Sequence, residues 1–422
     1  ASDVYKRQQC KTVPEYLYRI LKSRKFLISS NIKESKEKEI EVRPEFFMID
    51  MTNKCNLRCN YCLRNLEQEE NCISTEKLRD IGKFITTYCD EYKIANISVQ
   101  AWGGEPLLEK NKIIALTKFI TPQKTKVHYS IETNATLLTN DVIEELYKNH
   151  IGIGISIDGD RKCHDLQRTF VSGKGSYDTV KKNLLQAQRY YKNKIGTITT
   201  ITKQTAVHIE KIIEHLVLDL HISNIKLNFV HASTYTHGQN QCLNTQEIAD
   251  TELRILYKII ELQERGYDVM EHNIFIKLKN LLFREYADIC LSCGCCGGEK
   301  MIVFDMDGNI YPCELTDDAS FVIGSIYKKE SLIEQIKMTI DKDKAFFKMK
   351  KAVECEKCYW KFFCRGGCTV RALSEKRQME VIDIDHIECA INQVLYPALM
   401  ELVLRKPHIV NQMLGEDLLV DE

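Results

Sequence analysis

From residue 46 onward the chain alternates between short runs of β-branched and aromatic residues and longer stretches with helical spacing. The short runs stand at 46–52 (Phe46, Phe47, Ile49), 95–102 (Ile97, Val99), 126–132 (Val127, Tyr129, Ile131), 152–158 (Ile153, Ile155, Ile157), 196–202 and 224–231 (Ile225, Leu227, Phe229). Apolar residues at every second position read as strands. The intervening stretches 74–92, 109–121, 139–149, 176–193 and 205–220 read as helices. Ser74 ahead of Glu76 and Lys77, and Thr139 ahead of Asn140 and Asp141, supply helix starts. Such repetition predicts an α/β fold of parallel strands with right-handed crossovers. Six units fall short of the eight that close a TIM-type barrel, so a partial (β/α)6 barrel is expected over 46–240. Its chemistry should collect at the C-terminal strand ends.

Outside that region the pattern changes. Residues 1–45 read as a helical segment followed by the charged run Lys-Glu-Ser-Lys-Glu-Lys-Glu. Residues 241–289 read as a helical connection, and 290–390 as cysteine-rich, irregular sequence. Residues 391–422 read as a helical tail carrying Leu395, Leu399, Leu402 and Leu404.

Composition narrows the function. A chain of 422 residues exceeds one ordinary domain. Lys plus Arg equals Asp plus Glu, 59 each, so the basic excess of a nucleic-acid binder is missing. No apolar run reads as a membrane span, and no export signal is recognised, so a cytoplasmic protein is expected. Eighteen cysteines would mean a disulfide framework in a short secreted chain. Here they cluster at C-x2-C and C-x3-C spacings in a long chain, which points to metal. Cys10, Cys72, Cys89, Cys163 and Cys242 stand alone and are expected as small apolar side chains.

The most specific cluster follows the first strand directly. Cys55, Cys59 and Cys62 stand in Thr-Asn-Lys-Cys-Asn-Leu-Arg-Cys-Asn-Tyr-Cys, with Tyr61 before the last thiol. A [4Fe–4S] cube normally takes four thiolates, so three leave one iron open to a small molecule. Structural zinc wants four ligands, and no fourth lies nearby. The run, Tyr61 included, resembles the signature of the radical S-adenosylmethionine (SAM) superfamily. The resemblance implies that the open iron binds the amino and carboxylate groups of SAM. It also implies that an electron from the cube cleaves SAM to a 5′-deoxyadenosyl radical, which takes hydrogen from substrate.

Further segments fall near strand ends. Ala-Trp-Gly-Gly-Glu-Pro follows the second strand; glycines permit close backbone approach. In the family, Gly103, Gly104 and Glu105 match the motif that holds the SAM amino group. Asn134 follows the third strand, and Ser156 and Asp158 the fourth, where small polar groups suit ribose hydroxyls. Arg168, twelve residues past Ser156, suits a carboxylate and matches a family arginine that contacts the SAM carboxylate. Leu227 and Phe229 would lie against the adenine.

A second constellation spans Cys296-x11-Gly308-x4-Cys313, then Cys355-x2-Cys358-x5-Cys364-x3-Cys368, then Cys389. C-x2-C-x5-C-x3-C alone also suits a zinc ribbon. The whole array resembles the SPASM extension of radical SAM enzymes that modify peptides and proteins. That implies two auxiliary [4Fe–4S] clusters, three in the chain altogether. Cys296, Cys313 and Cys368 would serve the first, with Cys290 completing it and Cys293 and Cys295 as rivals. Cys355, Cys358, Cys364 and Cys389 would serve the second. Glu314 stands where anaerobic sulfatase-maturating enzymes carry an aspartate acting as base, and a carboxylate there could take a substrate thiol proton.

The reading that joins these features is a peptide maturase. It would take hydrogen from a ribosomally made precursor peptide and form a thioether or other crosslink, with flavodoxin or ferredoxin as electron donor. Residues 11–45 read as the end of a leader-peptide recognition region. The alternatives are an anaerobic sulfatase-maturating enzyme making formylglycine, and a zinc-binding protein without catalysis.

Overall fold

Six parallel strands form the centre of the sheet: β1 (Phe46–Thr52), β3 (Asn96–Gly103), β4 (Lys126–Thr133), β5 (Ile151–Ser156), β7 (Gly196–Ile201) and β8 (Asn224–Phe229), hydrogen-bonded in that order. A short β2 (Leu57–Cys59) pairs antiparallel with β6 (Arg168–Phe170) outside this sheet. The computed structural model describes residues 42–64, 70–231, 240–283, 294–316, 319–341, 353–373 and 384–415. The expected N-terminal recognition region, Cys10, Cys290 and Cys293 lie outside the described residues.

All six predicted strands are present, and helices Thr75–Glu91, Lys110–Phe119, Asn140–Lys148 and Tyr177–Tyr191 follow within the predicted stretches. Ser74 caps its helix by accepting the Lys77 amide at 3.1 Å, whereas the Thr139 side chain makes no cap bond.

The cysteine-rich region is less irregular than expected. The sheet runs on past β1 through β10 (Met301–Phe304), β11 (Asn309–Tyr311) and β12 (Gly324–Ser325), and β9 (Met270–Glu271) joins β8 at the other edge. β10 pairs parallel with β1, Phe46 opposite Met301. Both faces of β1 are apolar, as befits a strand covered on both sides. Phe47, Ile49 and Met51 join the main core, and Met48 packs with Met301, Val303 and Cys313.

Period 2 sorts the barrel residues into two faces. Val99, Ile131, Ile153, Ile155, Ile225, Leu227 and Phe229 are buried in the main core with the helices. Gln100, Glu132, Gly154, Ser156, Thr200 and Lys226 alternate with them and line the barrel interior. The register keeps the faces aligned: Glu132 lies opposite Gly154, Ser156 opposite Ile198, and Ile198 opposite Lys226. This corrects the expectation for Leu227. It is 3% exposed on the core face, while its neighbour Lys226 faces the interior.

Helix His386–Arg405 is long and apolar enough to cross a membrane by length and composition, a stretch missed in the sequence scan. In the structure it packs on helix Thr245–Glu264 and buries Leu395, Tyr396, Leu399 and Leu402 in the main core.

Glu252 on helix Thr245–Glu264 is buried. Desolvation first, then the nearby Glu271, push its carboxyl up from 4.5 to about 8. The folded state therefore keeps a proton that the unfolded chain releases above pH 4.5, and stability falls as pH rises from there to about 8. Glu252→Gln should flatten that decline, with a stability gain over wild type that grows across this window to the order of a few kcal/mol. Urea titrations at several pH values measure it; a gain that is constant with pH would contradict the assignment.

Candidate active site

The cysteine loop leaves the C-terminal end of β1 and is anchored at several points. Leu57–Cys59 pairs with Arg168–Phe170, which sets Arg168 directly opposite Cys59. The Arg168 guanidinium lies over the Tyr61 ring at 5.3 Å, and its Nε donates to Asp158 Oδ2 at 2.8 Å. The same oxygen accepts from Tyr61 Oη at 2.7 Å and Gln167 Nε2 at 2.8 Å. Asp158 Oδ1 accepts the Thr200 amide at 3.0 Å. Burial alone would raise this carboxyl, but the Arg168 charge, helped by His164 and by the Thr200 and Arg168 hydrogen bonds, holds it below the usual carboxylate range.

Asp158 is 0% exposed, and its Oδ2 accepts three protein donors while its Oδ1 accepts one. It positions Arg168 and Tyr61. Arg168, by contrast, uses only Nε among the described residues. Its two terminal nitrogens form a fork suited to a ligand carboxylate. Ser156 sits half-buried on the interior face.

Glu105 begins the turn after β3. Its Oε1 accepts from the Leu107 amide at 3.0 Å and Thr133 Oγ1 at 2.7 Å, and its Oε2 from the Asn134 amide at 2.8 Å. Burial raises its carboxyl despite these bonds. One acceptor direction on Oε2 remains, enough for an ammonium donor. Asn134 Nδ2 donates to Asn56 Oδ1 at 2.9 Å and stands 3.8 Å from Cys55 Sγ, tying β4 to the cysteine loop.

The glycines let two segments of the chain close on one another. A Cβ on Gly103, whose φ is +138°, would meet Thr52 O at 2.3 Å; one on Gly104 would meet Lys54 O at 2.1 Å. They let the end of β3 close against the cysteine loop, where Gly104 N donates to Thr52 O at 2.7 Å and Glu105 N to Lys54 O at 2.8 Å. Close approach was expected, but to a ligand.

Desolvation pushes Cys55 up to about 11 and Cys59 to about 12, with repulsion from Cys62 adding to both. Buried neutral thiols of this kind suit a metal cluster, whose charge displaces their protons. Among the described residues no three His, Cys, Asp or Glu side chains converge on a single ion.

A second cavity is lined by Cys355, Cys358, Cys364 and Cys389, with Trp360 and Asn392 in its wall. Four thiols in one cavity match the ligand demand of a [4Fe–4S] cube. Elsewhere, the Cys295 thiol lies near enough to Cys368 to raise it, after burial and against the nearby Arg371 charge. Gly294 allows this contact, since a Cβ there would meet Arg365 Cβ at 2.8 Å. Cys296 heads the turn before β10, accepting the Lys300 amide at 3.0 Å. Cys313 is buried, and its Sγ donates to Glu314 Oε2 at 3.3 Å.

Glu132 escaped selection in the sequence although it begins the Glu-Thr-Asn run. Strand parity was the available signal: it shares the interior face with Gly154. Desolvation raises its carboxyl; Lys226 opposes the rise, Gln100 bonds it, and Glu314 adds repulsion. A Cβ on Gly154 would stand 3.4 Å from Glu132 Cγ, and one on Gly196 would meet nothing within 4 Å. The interior beside Glu132 is thus floored by glycine and bounded by charged and amide groups.

Two outcomes follow. Gly104→Ala should displace the Lys54 carbonyl and the loop behind it, removing about four irons per anaerobically reconstituted chain; iron analysis decides, and full iron content would refute the packing role. Asp158→Asn should release Arg168 and weaken SAM binding about tenfold or more, 1.4 kcal/mol per decade. Calorimetric titration with SAM measures it, and unchanged affinity would separate Arg168 from its carboxylate partner.

Comparison with known proteins agrees with this geometry. The Radical SAM superfamily profile matches residues 49–216. The cysteine-type anaerobic sulfatase-maturating enzyme of Clostridium novyi is 26% identical over 327 residues, 75% of this chain and 85% of that protein. The radical SAM cyclopropyl synthase TigE of Paramaledivibacter caminithermalis is 23% identical over 373 residues, 83% of this chain and 73% of that protein. The fold is shared with native anSMEcpe, solved with AdoMet and Cp18Cys peptide (TM-score 0.72, 20% identity, 85% of this chain and 99% of that one). It is shared also with Streptococcus suis SuiB bound to precursor peptide SuiA (TM-score 0.59, 17% identity, 87% of each chain). The chain therefore carries a radical SAM domain over residues 49–216 and is similar along most of its length to the anaerobic sulfatase-maturating enzymes.

Proposed function

We propose that this chain is a cytoplasmic peptide maturase that takes hydrogen from a ribosomally made precursor peptide and joins a cysteine sulfur to carbon. The observation that carries the reading is the placement of Glu314. It lies beside Cys313 and near enough to Glu132, on the glycine-floored interior, for its charge to raise that carboxyl. Relatives of the same fold were solved with peptides bound, which supports a peptide in that interior here.

In this reading Cys55, Cys59 and Cys62 hold the SAM-binding cluster, and the two downstream cysteine sets hold auxiliary clusters. Arg168 takes the SAM carboxylate, Glu105 its ammonium and Ser156 a ribose hydroxyl. When bound, the cofactors supply the hydrogen-abstracting radical and the acceptor for the electron left behind. The chain's own groups do the rest. Asp158 fixes the Arg168 and Tyr61 positions. Glu314 accepts the proton of the substrate thiol. The carboxylate of Glu132 and the ammonium of Lys226 orient polar groups of the peptide. A flavodoxin or ferredoxin would deliver electrons.

The relatives from Clostridium favour a second reading, in which a Cys or Ser becomes formylglycine. Mass spectrometry of two peptides, each offered with SAM and reductant, separates the two. Loss of two hydrogens from a cysteine-rich precursor is expected, and Glu314→Gln should slow it about a hundredfold. A Cys-to-aldehyde mass change on a sulfatase peptide, with no change in the precursor, would replace the first reading by the second.

A further inference from the structure

The wall of the four-thiol cavity rests on a buried set of charges. Lys277 is 1% exposed and ion-paired with Glu388, also 1% exposed. Lys277 Nζ donates to Asn392 Oδ1 at 2.8 Å, and Asn392 Nδ2 to Glu388 Oε1 at 3.0 Å. Arg371 Nη2 reaches Glu388 Oε2 at 3.4 Å and Asp385 Oδ2 at 2.7 Å. Asp385 Oδ2 also accepts the backbone amide of Cys368 at 2.7 Å. Asn392 and Asp385 themselves line the cavity. Lys277 stands 5.8 Å over the Tyr396 ring, on which Trp360 of the cavity wall stacks at 5.2 Å. Two cations and two anions thus run from Cys364 and Cys389 to the backbone of Cys368, on the other cysteine set.

Such a network is a poor way to gain stability, because apolar residues of equal volume usually do as well. Its position is more informative. Cys364 feels both Glu388 and Lys277. Buried as they are, Lys277 and Glu388 are weakly screened, and groups just outside a metal's ligands tune its properties.

We infer that Lys277, Glu388 and Arg371 are positioning residues that set the reduction potential of a cluster in the four-thiol cavity and brace it against the Cys368 loop. This rests on the reading that Cys355, Cys358, Cys364 and Cys389 hold an auxiliary [4Fe–4S] cluster. Reduction adds negative charge to a cluster, so a neighbouring cation favours the reduced form and an anion opposes it. Lys277→Met leaves the network one charge more negative and lowers the potential. Glu388→Gln leaves it one charge more positive and raises the potential.

The test uses the full chain with Cys55, Cys59 and Cys62 replaced by alanine, so that only auxiliary clusters remain after anaerobic reconstitution. Iron analysis gives the cluster content, and an EPR-monitored titration with dithionite gives the potentials. The expected result is about eight irons per chain and shifts of opposite sign for the two variants. Asn392→Asp, a same-size change that adds negative charge, should move the potential as Lys277→Met does and serves where that variant does not fold. Arg371→Lys keeps the charge and should leave the potential near wild type. Iron retained with both potentials unmoved, or moved in the same direction, overturns the inference alone. Absence of iron from the triple variant overturns the auxiliary-cluster reading and the inference with it.

Discussion

The site depends on the fully buried carboxylate of Asp158. Its oxygens accept from Tyr61 in the cysteine loop, from Gln167 and Arg168 beside β6, and from the Thr200 backbone on β7. Three segments distant from one another in sequence meet on one group of three atoms. A buried carboxylate is tolerable only when paired and fully hydrogen-bonded, and Arg168 meets that condition while keeping its terminal nitrogens for a ligand. Orientation and electrostatics are therefore the same interaction: the bond that keeps Asp158 charged also aims Arg168.

Close backbone approach does similar work on the other side of the loop. Gly103 and Gly104 bring the end of β3 against Thr52 and Lys54, and Glu105 then spans to β4 through Thr133 and Asn134. The cysteine loop is clamped between these two sets of contacts. Three thiols on a loop form a defined site only when the loop itself is held, and here one hold is built on Asp158 and the other on the backbone approach at Gly103 and Gly104.

Much of this was legible in the linear sequence. The six barrel strands followed from period-2 alternation, and their order along the chain is also their order in the sheet. The cysteine spacings singled out the loop after β1 and the thiols that line the second cavity. The remainder turned on non-local facts. β10 is a four-residue strand whose partner is β1, from the other end of the chain, and no local pattern announces such pairing. Leu227 and Lys226 are neighbours in sequence but lie on opposite faces, so naming the wrong one costs a single residue of parity. Asp158 and Glu105 were picked by motif position, yet only their partners show that Asp158 ties Arg168 to Tyr61 and that Glu105 spans from β3 to β4. The contact between Cys368 and Cys295 likewise depends on how Gly294 packs, which spacing does not disclose.

The pairing of β10 with β1 also bears on how the protein is made. β1 is the first barrel strand to leave the ribosome, and one of its edges waits for a strand near the end of the chain. Until then an apolar edge stands open to other chains. Non-local pairing of this kind folds slowly and exposes intermediates to aggregation. The cysteine loop hangs from that unfinished strand, so the first metal site matures on a scaffold completed only by the segment that carries the second.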